Sequence, residues 1–391
     1  MTRRHFRLLI PVFLVAILGG VVWFQLRSPS AETIAAWVDQ AEIALSNQQW
    51  KESERLAQLI ADSGDREAAQ LIAGETAYFE GNLESAFQTL GQIPLESRWR
   101  PRASLLAGYA AFRLQQPYLA EQLLTEAIES YPKEVDAFRV LSVIHYDQGN
   151  LRVAIEDLQQ VATLAPEDAR PWRQLGLIHR DFERFPEAEQ AYAQAVQRKL
   201  PPVLEAEVRQ EWADVLVRLA RHPEAEAILD AIPPEVPMTA ERMTTALAIA
   251  QVTQSPEQLD AQLAQAVKQF PRHAPILRAN GVRALQRNDP ESAVKWLKTA
   301  TQVDPYDYRN YYELAQAYQR ANNATAAKEA ESEVKRLQAL LTRLTELSEA
   351  AMDQPWDAAV RRELATLCRS LGKMELAKQW EIAASRCEQA R

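Results

Sequence analysis

ARPWRQLGLIHRDFERFPEAEQAYAQAVQ, residues 169–197, is the stretch from which the rest of the chain can be read. Trp172, Leu175 and Gly176 are followed by Ala188, Tyr192 and Ala195, so that two apolar helical stretches each carry a small residue at a fixed place. The spacing returns in Gly108, Tyr109, Ala120, Leu124, Ala127 and Pro132, in Leu141, Ala154, Leu158 and Pro166, and in Leu277, Gly281, Ala293, Leu297, Ala300 and Pro305. Pro132 and Pro166 are 34 residues apart, as are Pro271 and Pro305, and each closes an apolar stretch where proline can stop a helix.

The pattern W-x2-L-G, then Ala twelve residues on, then x3-Tyr and x2-Ala, resembles the tetratricopeptide repeat. Ten units begin near residues 34, 67, 101, 135, 169, 206, 240, 274, 308 and 358, and eight of the ten have Ala at their twentieth position. The resemblance implies an all-α fold, a right-handed α-solenoid of about ten helix pairs. Small residues at positions 8 and 20, such as Gly74 with Ala86, should let the two helices of a pair approach closely. Positions 24 and 27 should bury against the next unit's first helix, so that no unit is stable alone. The expected organisation is 1–7 as a cytoplasmic terminus, 8–26 as a transmembrane helix and 27–33 as a linker. Units one to nine fill 34–341, the extension of a long helix and its turn take 342–357, and a last pair takes 358–391. Departures mark joints: extra residues around Pro201 and Pro202, Leu259 in place of Ala, and a ninth second helix running over about residues 324–351. Its leucine stripe could pair with another chain or pack against the last pair.

Composition agrees. Only 11 of 391 residues are glycine, and the helix formers Ala, Leu, Glu, Gln and Arg dominate. Forty-four basic against 53 acidic residues give a net charge of −9, which disfavours a general nucleic-acid binder. The two cysteines, Cys368 and Cys387, exclude a multi-thiolate metal site within this chain; they read either as packing residues or as a single staple of the last two helices.

Residues 8–26, LLIPVFLVAILGGVVWFQL, carry no charge and as a helix would span about 28 Å, close to the hydrocarbon thickness of a bilayer. Arg3, Arg4 and Arg7 precede the run and only Arg27 follows closely, which keeps the N-terminus cytoplasmic and sends the repeats across, to the periplasmic side in a bacterium. A cleaved signal peptide is the competing reading, with a weak site between Ser28 and Ala31.

No phosphate-binding glycine loop, nucleophile elbow or zinc-protease motif occurs. His145 and His179 share position 11 of consecutive units, where Ala44, Ala77 and Tyr318 stand elsewhere, so they read as slot fillers rather than metal ligands. Neither an enzyme nor a bound cofactor is expected; a hydrolase or transferase built from groove histidines and carboxylates is the alternative of another class.

In this family the first helices line a concave face, chiefly through positions 2, 5, 9, 12 and 13. Those positions hold Tyr78, Phe79, Arg102, Tyr109, Phe112, Arg113, Arg139, Tyr146, Arg170, Arg173 and Arg180 in the first five units. Across all ten units they hold twelve arginines against eight acidic residues, a groove more positive than a chain of charge −9. Arginine takes carboxylates bidentately and tyrosine offers rigid amphipathic area, which suits an extended peptide or an acidic chain terminus. Local packing of these side chains is the plainer alternative. The resulting expectation is a membrane-anchored adaptor for protein partners, or an assembly factor resembling the anchored repeat proteins of cytochrome c maturation or polysaccharide export.

Overall fold

The computed structural model describes residues 29–148, 150–354 and 357–389, and among them there are twenty α-helices and no strand. The expected anchor at 8–26 lies outside the described residues. No described helix is long and apolar enough to cross a membrane. The chain divides into two compact units, Met1–Leu141 and Ser142–Arg391.

The first unit holds α1 (Ala31–Ser46), α2 (Trp50–Asp62), α3 (Arg66–Glu80), α4 (Leu83–Gly91), α5 (Arg100–Arg113), α6 (Pro117–Ser130) and the start of α7 (Val135–Asp147). The second holds the rest of α7, then α8 (Leu151–Leu164), α9 (Arg170–Asp181), α10 (Phe185–Val196), α11 (Pro202–Arg218), α12 (His222–Asp230) and α13 (Ala240–Thr253). It continues with α14 (Pro256–Gln269), α15 (Ala274–Gln286), α16 (Pro290–Val303), α17 (Tyr308–Arg320), α18 (Ala324–Asp353), α19 (Ala358–Ser370) and α20 (Met374–Gln389). Within each unit, consecutive helices pack as antiparallel hairpins stacked in chain order. The prolines act as stops: α6, α8, α14 and α16 each end two residues before Pro132, Pro166, Pro271 and Pro305.

Eight of the hairpin turns share one backbone form. Position 15 lies in the left-handed region at Gln48, Gly81, Gln115, Glu183, Ala220, Asn288, Asn322 and Gly372. The next residue's N–H then bonds the carbonyl five back, as in Asn82 to Ala77 at 2.8 Å and Arg221 to Leu216 at 2.9 Å, which closes the helix end. Only two of these eight are glycines, so the composition gave no hint of the turn. The seventh hairpin departs: Gln254 is extended, Ser255 and Gln258 form a capping box, and α13 packs on α14 less closely than other pairs do. Leu259, in place of the usual Ala, marks this looser pair.

The helix contact differs from the sequence expectation in its partners. Position 8 faces position 24 rather than position 20. A Cβ added to Gly74 would meet Leu90 Cγ at 2.5 Å, at Gly108 Leu124 Cγ at 2.7 Å, at Gly176 Tyr192 Cε1 at 2.7 Å and at Gly281 Leu297 Cγ at 2.4 Å. The same position-24 side chains reach the next first helix, Leu90 packing with Ala103 and Ala107 and Leu124 with Ala137 and Leu141. Alanine at position 20 instead fits between position 11 of its own unit and position 10 of the next, as with Ala77, Ala86 and Ala110, or Leu216, Ala225 and Ile249.

The long helix α18 has 30 residues, and its Leu337 and Leu347 are buried with Leu364, Leu367 and Leu371 of the last pair, so the leucine stripe is covered from within the chain. Cys368 and Cys387 are both buried and are not joined in a disulfide.

Gly281→Ala should destabilise the protein, since a clash of this depth costs about 1–3 kcal/mol. In a Leu297→Ala background the same change should stabilise by up to about 1 kcal/mol, because only helix propensity then remains. A double-mutant cycle from denaturant unfolding reads this change of sign.

Candidate functional site

The first-unit part of the expected face is carried by α1, α3 and α5, the first helices of three consecutive hairpins. Tyr78 and Phe79 end α3 and meet edge to face, with ring centroids 5.4 Å apart. Phe79 is 53% exposed. The Arg113 guanidinium, from the last turn of α5, lies over the Tyr78 ring at 5.6 Å and pairs with no carboxylate among the described residues. Phe112 stands beside it, half-buried. Tyr109 donates a hydrogen bond to Glu134 at 3.3 Å, and burial, reinforced by that carboxylate, pushes its phenol well above the ordinary range.

Arg102 is differently placed. It bonds Glu42 of α1, and its Nε lies 2.5 Å from Oε1 of Glu75, a residue with no exposed surface. That contact is close without being aligned: neither Glu75 oxygen accepts a hydrogen bond, and burial pushes the Glu75 carboxyl up to about 8. Arg139 pairs with Asp136 one turn earlier.

In the second unit Arg170 pairs with Asp168 at 2.8 Å, Arg173 with Glu211 at 2.7 Å and Glu207 at 2.9 Å, and Arg180 with Asp181 at 2.9 Å. Tyr146, half exposed, lines a cleft of about 700 Å³ together with Phe182 and Trp380. The structure brings Tyr78 and Phe79 together, with Arg113 over Tyr78. It also places carboxylates against Arg102, Arg139, Arg170, Arg173 and Arg180. Five of the paired acids, Glu42, Glu75, Asp136, Asp181 and Glu207, stand at the same five groove positions; Asp136 and Asp181 pair within their own helix, and Glu42, Glu75 and Glu207 pair across neighbouring first helices.

His145 has a partner that spacing alone did not suggest. Its Nδ1 lies 2.6 Å from Oδ2 of Asp157, both buried between the two helices of one hairpin. The Nδ1 of His179, one unit on, is buried without a hydrogen bond, and burial holds its imidazole below the usual range. Among the described residues no three His, Cys, Asp or Glu side chains converge as a metal site.

The tetratricopeptide repeat family model matches residues 105–169 and 141–203. Residues 105–203 are tetratricopeptide repeats. No curated protein matches the chain in sequence. Among solved structures it is similar to MamA MSR-1 C2, at 21% identity, covering 42% of this chain and 93% of that one with a TM-score of 0.35. It is also similar to YrrB, a TPR protein with an unusual peptide-binding site, at 18% identity, 48% of this chain, 96% of that one and a TM-score of 0.38. Yeast Tom70 aligns over 92% of this chain and 96% of its own at 11% identity, with a TM-score of 0.43.

Glu75 gives the repeats a pH dependence whose sign follows from its burial. Its carboxyl keeps a proton to about pH 8 in the fold and loses it near 4.3 when unfolded, so the folded chain holds the extra proton between these values. Stability should fall as pH rises through that window, by up to about 1.4 kcal/mol per pH unit. Glu75→Gln should flatten the curve and gain at pH 8, as read from melting temperatures between pH 5 and 9.

Proposed function

We propose that the chain is a non-catalytic scaffold that takes an extended segment of a protein partner along the first helices of its repeats, through Tyr78, Phe79 and Arg113 in the first unit. The observation that carries the reading is the Tyr78–Phe79 pair, Tyr78 half-buried and Phe79 exposed, with an arginine over the Tyr78 ring that has no carboxylate of its own. An aromatic platform supplies contact area at low entropic cost, and a guanidinium with spare donors suits a side-chain or C-terminal carboxylate. The paired arginines nearby supply shape and rigidity, since a ligand would have to displace their present partners. The reading extends to residues 8–26 as a membrane anchor that holds the repeats on the far side of the bilayer, supported by the uncharged run and the arginines before it.

The test is selection of a random C-terminal peptide library on the full-length protein in detergent. Enriched peptides should carry acidic groups or a free carboxylate next to an apolar side chain. Phe79→Ala with Arg113→Ala should weaken their binding tenfold or more with helix content unchanged, and Arg113→Lys should restore part of it. Arg152→Ala, on the second helix of its hairpin, is the control and should bind as the parent does. Peptides selected without regard to charge, or equal affinities for the double variant and the control, would refute the reading. For the anchor, a mature N-terminus beginning near Ser28 would do the same.

A further inference from the structure

The second unit contains a contact that its repeat pattern does not require. Arg361, in the first turn of α19, is 1% exposed, and its Nη2 donates to the carbonyl of Gln148 at 2.7 Å, 213 residues away in sequence. Its Nη1 reaches the carbonyls of Gln354 and Asp357, both at 3.4 Å. A buried guanidinium satisfied by backbone carbonyls is a fixed joint, because breaking it leaves a charge without solvent or partner. It ties the last helices to the C-terminal end of α7.

Beside that joint lies the cleft of about 700 Å³. One wall comes from the end of α7, the start of α8 and the residues after α9, with Tyr146, Leu151 and Phe182; the other comes from α18 and α20, with Leu344, Leu376 and Trp380. Four acidic residues, Asp147, Asp181, Glu183 and Glu349, line it with two basic ones, Arg184 and Lys373, and Asp181 is held by Arg180 beside the cleft. Glu183 and Glu349 come from opposite walls, and neither forms an ion pair among the described residues. The volume is that of a small-ligand site, large enough for two or three side chains of a peptide.

We propose that this cleft is a second binding site, of opposite charge preference to the first-unit face, and that it takes a partner segment with an arginine or lysine flanked by apolar side chains. Aromatic rings favour a cation over their faces, and Glu183 and Glu349, one on each wall, favour the same sign. The leucines on both walls accept the flanking apolar groups. Arg361 holds the walls together, so the site exists only while the C-terminal helices are docked.

Fluorescence anisotropy of the full-length protein with two labelled octapeptides tests this. Each has a central residue between two leucines, arginine in one and glutamate in the other. The arginine peptide should bind at least tenfold more tightly than the glutamate peptide, and the preference should shrink as salt rises. Glu183→Gln with Glu349→Gln should weaken the arginine peptide at least fivefold, and Tyr146→Ala should weaken it as well. Arg361→Ala should abolish binding; because that change can also unsettle the last helices, the surface variants carry the test. Arg113→Ala should leave the arginine peptide unaffected, which separates this site from the first-unit face. Equal affinity for the two peptides, or an affinity untouched by the surface variants, would overturn the proposal.

Discussion

The contact on which the rest depends is a position-24 side chain seated on the bare backbone of a position-8 glycine. Leu90 on Gly74, Leu124 on Gly108, Tyr192 on Gly176 and Leu297 on Gly281 leave no room for even one more carbon. The same side chains extend to the following first helix, so one residue fixes both the angle within a hairpin and its seat on the next. Interiors packed to this density resist a change of a single methyl group. Alanine at position 20 is a consequence of this arrangement: it fills the gap between positions 11 and 10 of adjoining first helices, where a larger group would lift the next hairpin off.

That packing leaves the first helices with one face covered by neighbours and one face for other uses. In the first unit the free face carries Tyr78, Phe79 and Arg113; in the second it carries Tyr146 and the cleft that the C-terminal helices complete. The two surfaces differ in sign. An arginine without a carboxylate dominates one, and unpaired glutamates line the other. A chain of charge −9 thus presents two local chemistries because its arginines are mostly spent on its own acids.

Much of the helical order was legible because the 34-residue period repeats a constraint that every hairpin must satisfy. The starts at 135, 240, 274, 308 and 358 coincide with the first residues of α7, α13, α15, α17 and α19. The hairpin turns were less legible, since six of the eight left-handed positions hold residues other than glycine, held there by the helix-end hydrogen bonds. The charge state of the face was hidden for another reason. A count of arginines and acids at groove positions gives a surplus, but pairing depends on which first helices are neighbours, as with Glu42, Glu75 and Arg102. The pair of His145 with Asp157 needed positions 11 and 23 to be compared across a hairpin, and the joint of Arg361 with Gln148 has no local signal at all.

The central claim, that position 24 binds each hairpin to its own first helix and to the next, is tested most directly by hydrogen exchange on the Leu124→Ala variant. Large-to-small changes at such a site cost about 2–5 kcal/mol, enough to open a local unit well before the whole chain. The account predicts that amide protection falls in α5, α6 and α7 while α16 and α17 exchange as in the parent protein. A uniform loss of protection over all the helices, or none in α5 and α7, would contradict it.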